Sequence, residues 1–190
     1  MSKQLFSVDD ARQHARKRLP RMMFDFIDGS SGDETLCGLN SAAIDEIRLM
    51  PRVLVDVSDR SLSSSILGLK TGLPFGIAPM GMCGLAWPGA DRYLALEAAR
   101  RRMPLCVSTA SSMTLEKINE IAEGHAWFQL YADQSGDFVN ELVDRAAAAA
   151  YEVLILTVDV PIPSVRLRDL RNGFTFPMRW GFQQLWDFAT

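Results

Sequence analysis

Histidine is scarce in this sequence: of 190 residues, only His14 and His125 carry an imidazole. General acid–base chemistry near neutral pH therefore has few ordinary candidates inside it. Cysteine is scarce too, and Cys37, Cys83 and Cys106 are odd in number and form no CxxC pair. This pattern excludes a disulfide framework and a cysteine zinc site, and leads us to expect reduced thiols in a cytoplasmic protein. There is no run of about 18 apolar residues, so no spanning helix is expected, although attachment at a membrane surface stays open. The opening MSKQLFSVDDARQHARKR lacks the apolar stretch of a secretion signal. The net charge of −3 gives no argument for nucleic acid, and the basic runs at 17–18 and 100–102 read as solvated helix faces. The motifs GxGxxG, GxxxxGK(S/T), HExxH and GxSxG are also absent, which removes the common dinucleotide, P-loop, zinc-hydrolase and serine-hydrolase signatures.

What is present suits one globular core: 48% hydrophobic and 23% charged residues fit neither a disordered nor a fibrous chain. Residues 7–28 read as two short helices. Ser7 with Asp10 forms a capping box, Pro20 opens a second segment with Met23, Phe24 and Ile27 on one face, and Gly29 ends it. Residues 30–71 are weakly periodic, and only IRLMPRVLVDV suggests a short extended piece. From residue 74 the pattern becomes regular. PFGIAPMG (74–81), PLCVSTAS (104–111), AWFQLYA (126–132) and EVLILTVDV (152–160) have strand length, and amphipathic stretches at 91–102, 114–124 and 135–150 separate them. Such alternation predicts an α/β fold with a parallel sheet. Two architectures compete, an open doubly wound sheet and part of a (β/α)8 TIM barrel. No phosphate loop follows the first strand, which favours the barrel, and a complete one needs about 250 residues. The expected organisation is a helical lead-in over 1–73, four β/α units over 74–177, and an aromatic-rich insertion beginning at 178–190.

In either architecture ligands gather at the carboxyl ends of the parallel strands. Those ends read Pro79, Met80 and Gly81; then Ser108, Thr109 and Ala110; then Gln129 and Tyr131; then Thr157 and Asp159. A buried polar group without a partner costs about 1–3 kcal/mol. Ser108, Gln129 and Thr157 should therefore be satisfied, either by a planar ligand rich in donors and acceptors or by neighbouring strands and water. Arg166 and Arg168 follow the fourth strand; a guanidinium fork suits a carboxylate, and solvated loop arginines are the plainer alternative. Asp159 could orient a base or cap a loop. No lysine and neither histidine falls at a strand's carboxyl end, so a catalytic base is expected outside these residues.

The blocks FDFIDGSSGDET, GIAPMGMCGLAWPGAD, STASSMTLEKI, WFQLY and LTVDVPIPSVRLRD, in this order and spacing, resemble the FMN-dependent (S)-2-hydroxy acid dehydrogenases and oxidases, in particular the bacterial mandelate and lactate dehydrogenases. The resemblance implies the first half of a TIM barrel that binds FMN. Pro79, Met80 and Gly81 would pass their backbone along the flavin, and Ser108, Gln129 and Thr157 would hydrogen-bond its ring and ribityl chain. Tyr131 would approach the substrate, Arg166 would hold its carboxylate, and Asp159 would pair with the family's catalytic histidine. Ala110 is small enough to admit an aryl side chain, and Phe26 stands where the family usually has a tyrosine. The histidine, a lysine beside the flavin, a second arginine and the FMN-phosphate loops would belong to the other half of the barrel, so these 190 residues alone are expected to be inactive.

The implied reaction is oxidation of a mandelate-like or lactate-like acid to the 2-oxo acid, with electrons passing to quinone or another non-oxygen acceptor, in a homo-oligomer. Residues 178–188 hold Trp180, Phe182, Leu185, Trp186 and Phe188 and could touch the inner face of a membrane or pack on the barrel. Three further readings remain: an oxidase that makes hydrogen peroxide, a non-catalytic half-barrel that serves binding or assembly, and an unrelated phosphate-binding barrel.

Overall fold

The computed structural model describes residues 4–132, 136–159, 162 and 164–175. In chain order the elements are α1 (Val8–Arg16), α2 (Arg21–Asp28), α3 (Thr35–Asp45), β1 (Ser64–Ile66), β2 (Leu69–Thr71), α4 (Cys83–Ala86), α5 (Ala90–Arg101), β3 (Leu105–Ser108), α6 (Leu115–Ile121), β4 (Ala126–Tyr131), α7 (Gly136–Ala148), β5 (Leu154–Thr157) and α8 (Leu167–Arg171). They fall into two compact units, Met1–Val53 with Ile162–Thr190, and Leu54–Pro161.

In the first unit the capping box forms as expected. The Ser7 hydroxyl accepts from the Asp10 amide at 3.0 Å, and the Asp10 carboxylate accepts from the Ser7 amide at 3.0 Å. Helix α2 buries Met22, Met23 and Phe24, while Ile27, expected on the same face, is exposed. Helix α3 is a departure from the expectation for residues 30–71. Asp33 accepts from the Thr35 amide at 3.2 Å and the Thr35 hydroxyl at 2.7 Å to start it, and none of its residues is buried. The extended piece expected at IRLMPRVLVDV forms no strand. Pro51 removes a donor, and Leu49, Met50, Val53 and Leu54 lie exposed with no neighbouring strand to pack against.

In the second unit β1 and β2 form an antiparallel hairpin with Ser64 opposite Thr71. Its two-residue turn, Leu67–Gly68, has positive φ at both positions, 52° and 83°, the twist that closes a hairpin. Strands β3, β4 and β5 form a parallel sheet in that order, with Leu105 opposite Ala126 and Phe128 opposite Leu154. The segment expected as the first strand contributes a single parallel bridge, Ile77 to Leu105. The Ile77 amide donates to the Pro104 carbonyl at 2.8 Å, and the Cys106 amide donates to that of Ile77 at 2.9 Å. Pro79 on this segment and Pro104 on its partner have no N–H to extend the ladder on either side. Spatial order thus follows chain order with no reversal, whereas a doubly wound sheet reverses at its switch point. The architecture is that of consecutive barrel strands: the amino-terminal half of a (β/α)8 barrel, preceded in sequence by a helical lead-in.

Helices α5 to α7 cover one face of the sheet. Ala95, Ala98 and Ile118 pack on Leu105, Val107 and Ala126, and Leu142 and Ala146 pack on Phe128 and Leu130. The close passage of the first segment depends on Gly76, where a Cβ would stand 2.5 Å from the Pro104 carbonyl oxygen. Gly76→Ala is expected to cost about 1–3 kcal/mol by forcing this backbone apart. Urea unfolding at neutral pH would read it, and an unchanged midpoint would show that the approach is not constrained.

Candidate active site

Side chains alternate across a strand, so the residues between the helix-facing ones point to the opposite face. Leu105, Val107, Phe128 and Leu130 face the helices, which leaves Ser108 on β3, Gln129 and Tyr131 on β4, and Thr157 on β5 to share the other face at its carboxyl end. The register sets Ser108 opposite Gln129 and Tyr131 opposite Thr157.

The polar groups of this face bond to one another. Gln129, 1% exposed, donates from Nε2 to the Thr157 hydroxyl at 2.8 Å and accepts at Oε1 from the Thr109 amide at 3.4 Å. The Ser108 hydroxyl accepts from the Ala110 amide at 3.1 Å. Each hydroxyl therefore uses a lone pair within the protein, and neither donates its proton to a described residue. The second Nε2 proton of Gln129 is in the same position. Two hydroxyl protons and one amide proton thus have no described partner, and such a donor set fits the chemistry of an acceptor-rich isoalloxazine edge. Of the two alternatives raised for these residues, protein neighbours satisfy the acceptors.

The strand-end backbone lies against the same residues. A Cβ on Gly81 would be 3.1 Å from that of Ala110 and 3.6 Å from the Ser108 hydroxyl, and the Met82 amide donates to the Ala110 carbonyl at 2.8 Å. Pro79, Met80, Gly81, Ala110 and Tyr131 are exposed, so this rim is accessible. Asp159 is exposed beyond the end of β5 and makes no hydrogen bond or ion pair with a described residue. Burial, followed by the Asp91 carboxylate, pushes the Cys83 thiol up, and burial does the same to Cys106. Neither is a thiolate nucleophile at neutral pH.

Sequence reasoning gave Thr109 no role, yet it ties the strand ends together. Its hydroxyl donates to the Gln129 carbonyl at 2.7 Å and accepts from the Tyr131 amide at 3.2 Å. A threonine directly after a strand of buried residues was the available signal.

The arginines after β5 belong to the first unit. Arg166 donates from Nε to Asp169 at 2.6 Å, and from Nη2 to the carbonyls of Phe26 at 2.5 Å and Gly29 at 3.1 Å. Its guanidinium carbon sits 5.3 Å from the centre of the Phe26 ring, which stacks on Phe174 at 4.6 Å. Nη1 has no hydrogen bond to a described residue. Asp169 is buried, and its Oδ1 has no partner among the described residues. Arg168 is no solvated loop arginine, since Asp28 lies at 2.9 Å, Asp25 at 3.7 Å, and Glu34 in direct contact. Hydrogen bonds from Arg12 and Arg168 hold the Asp28 carboxyl down at about 2. The aromatic segment 178–188 lies outside the described residues, and among those described no helix is long and apolar enough to cross a membrane.

The sequence profile of the family described as FMN-dependent dehydrogenase matches residues 15–190. The (S)-mandelate dehydrogenase of Pseudomonas putida is 37% identical over 187 residues, which is 98% of this chain and 47% of that protein. An L-lactate dehydrogenase of Caulobacter sp. (strain K31) is 37% identical over 90% of this chain and 45% of its own length. An L-lactate oxidase of Nostoc sp. (strain PCC 7120) is 39% identical over 87% and 46%. The crystal structure of a monotopic membrane protein, (S)-mandelate dehydrogenase, superposes with a TM-score of 0.91 at 36% identity, covering 98% of this chain and 50% of that one. The chain thus spans about half the length of the curated relatives it matches.

Proposed function

Since the chain belongs to the FMN-dependent dehydrogenase family, we propose that it supplies half of a flavoenzyme that oxidises an (S)-2-hydroxy acid, mandelate-like or lactate-like, to the 2-oxo acid. The observation that carries this reading is the row Ser108, Gln129 and Thr157, whose acceptors are satisfied within the protein while both hydroxyl protons and one Nε2 proton of Gln129 go to no described residue. These residues would hold the flavin ring, with the backbone of Pro79, Met80 and Gly81 beside it. When bound, FMN supplies the two-electron acceptor.

Nη1 of Arg166 would take the substrate carboxylate, with Phe26 shaping that side, and the Tyr131 hydroxyl would meet the reacting oxygen. Ala110 would leave room for an aryl group. Proton removal falls to a base outside these 190 residues, which the exposed carboxylate of Asp159 would orient. We assign the helical lead-in to 1–73 and the four β/α units to 74–177, with the rest of the barrel covering the exposed Leu154 and Leu156 of β5. A homo-oligomer and a quinone or other non-oxygen acceptor complete the proposal.

The test is the flavin. The enzyme carrying both halves of the barrel should purify yellow and release FMN on denaturation; a colourless protein would remove the reading. Gln129→Leu should weaken FMN binding by about tenfold to a hundredfold, because it deletes one donor and strips Thr109 and Thr157 of a buried partner. Titration of the stripped protein with FMN reads this, and an unchanged Kd would place the flavin elsewhere.

The L-lactate oxidase relative supports a second reading, in which oxygen reoxidises the flavin to give hydrogen peroxide; stopped-flow reoxidation separates the two. The monotopic relative supports peripheral attachment through residues 178–188. Co-sedimentation with liposomes should fall when 178–190 are removed, and equal partitioning would dispose of that attachment.

A further inference from the structure

A cavity of about 910 Å³ opens among α1, α2 and α8 in the first unit, and among the described residues seven cationic side chains and two carboxylates line it. This excess stands in a chain whose net charge is −3. The two carboxylates are already committed. Asp28 is held by Arg12 at 2.5 Å and Arg168 at 2.9 Å, and Asp25 by Arg21 at 3.5 Å and Arg168 at 3.7 Å. Asp28, with its carboxyl at about 2, stays charged and belongs to those guanidiniums. Arg16, Lys17 and Arg171 reach the same cavity and form no ion pair with a described residue. Helix dipoles explain a cation at the carboxyl end of α1 or of α8 separately, but not why cations from helices about 150 residues apart in sequence share one concavity.

We propose that this cavity binds a small, multiply charged phosphate anion of the size of a tripolyphosphate or a nucleoside triphosphate. The volume falls within the range of about 300–1,000 Å³ usual for small-molecule sites. Its apolar lining is limited to Leu19, Pro20 and Phe24, too little for an apolar ligand. Guanidinium forks match phosphate oxygens in pairs. A single carboxylate, such as that of a hydroxy acid, would leave most of the excess charge unanswered, so this is not a second substrate site. The inference is independent of the flavin reading.

Titration calorimetry of the full-length protein as purified, with or without flavin, against sodium tripolyphosphate tests it. Saturable binding is expected, one ligand per chain, weakening between about 50 and 200 mM salt as charges are screened. The triple variant Arg16→Gln/Lys17→Gln/Arg171→Gln should bind at least about tenfold more weakly, given the loss of three charge-assisted contacts, with its melting temperature unchanged. If it fails to fold, Arg171→Gln alone should still weaken binding severalfold. Vesicles of phosphatidylglycerol form the second arm, and the variant should sediment with them as the parent does. Absence of tripolyphosphate binding, binding undiminished in the variants, or vesicle binding that depends on these residues without any binding of the free anion would each overturn the proposal.

Discussion

Replacing Arg166 by methionine is expected to lower kcat/KM for an (S)-2-hydroxy acid by about two orders of magnitude, mostly through KM. Nε and Nη2 are fixed by Asp169 and the carbonyls of Phe26 and Gly29, so the arm proposed for the substrate carboxylate is held in place. Loss of one partner of a desolvated charged contact costs about 2–5 kcal/mol. Part of the cost is structural, because the buried Asp169 loses its cation. The double variant Arg166→Met/Asp169→Asn should recover melting temperature without recovering KM. Arg166→Lys should rescue little, since one ammonium cannot serve a carboxylate and two carbonyls while reaching a substrate. The methyl ester of the same hydroxy acid carries no charge and should lose only severalfold in the Arg166→Met enzyme. An equal penalty on acid and ester would remove Arg166 from substrate binding.

The elements that were legible in sequence are those whose signal is local or whose periodic face is buried. The Ser7–Asp10 box marks α1 without tertiary help, and Leu142 and Ala146 of α7 are buried as the 3.6-residue stripe requires. Helix α3 carried no such signal because it buries nothing; Leu36, Leu39 and Ile44 are all exposed. IRLMPRVLVDV misled in the opposite direction, since β-branched and aliphatic residues suggest a strand whether or not a partner lies alongside. The hairpin at Ser64–Thr71 was not expected, because its strands are three residues long and only Gly68 marks its turn.

The site divides along similar lines. Ser108, Gln129 and Thr157 stood out because polar residues are out of place in buried parallel strands. What they bond to depends on register, and Ser108 meets Gln129 only because Leu105 pairs with Ala126. Alternation fixes which face a side chain takes but not which residue of the next strand it stands beside, so neither strand by itself sets that alignment. The role of Thr109, whose hydroxyl bridges the backbone of its neighbour strand, follows from the same alignment, and its place just after a buried strand was only a weak sign of it. Arg168 was harder still. Its carboxylate partners Asp25, Asp28 and Glu34 lie more than 130 residues earlier in the chain, and no local pattern links them.

That distant cluster leads to the second large effect, on stability. Arg168→Met is expected to cost about 2 kcal/mol at pH 7, between the value of an exposed pair and that of a buried one, because the side chains are only partly shielded. It leaves Asp25 and Glu34 without this cation, while Asp28 keeps Arg12. Arg12→Met should cost less, since Arg12 is 55% exposed against 31% for Arg168. The pH dependence identifies the cause. Asp28 has a folded-state pKa of about 2 against 3.8 in the unfolded chain, so its contribution is complete above pH 3.8 and is lost as pH falls through about 2. After allowance for solvent screening, that contribution is about 1–2 kcal/mol. The gap in stability between the parent and Arg168→Met should therefore be constant from pH 7 to 5 and begin to narrow below pH 4 as Asp28 takes up a proton. Urea unfolding at pH 7, 5 and 3 measures it, and a gap that persists undiminished at pH 3 would mean that Arg168 acts through its packing and not through its charge.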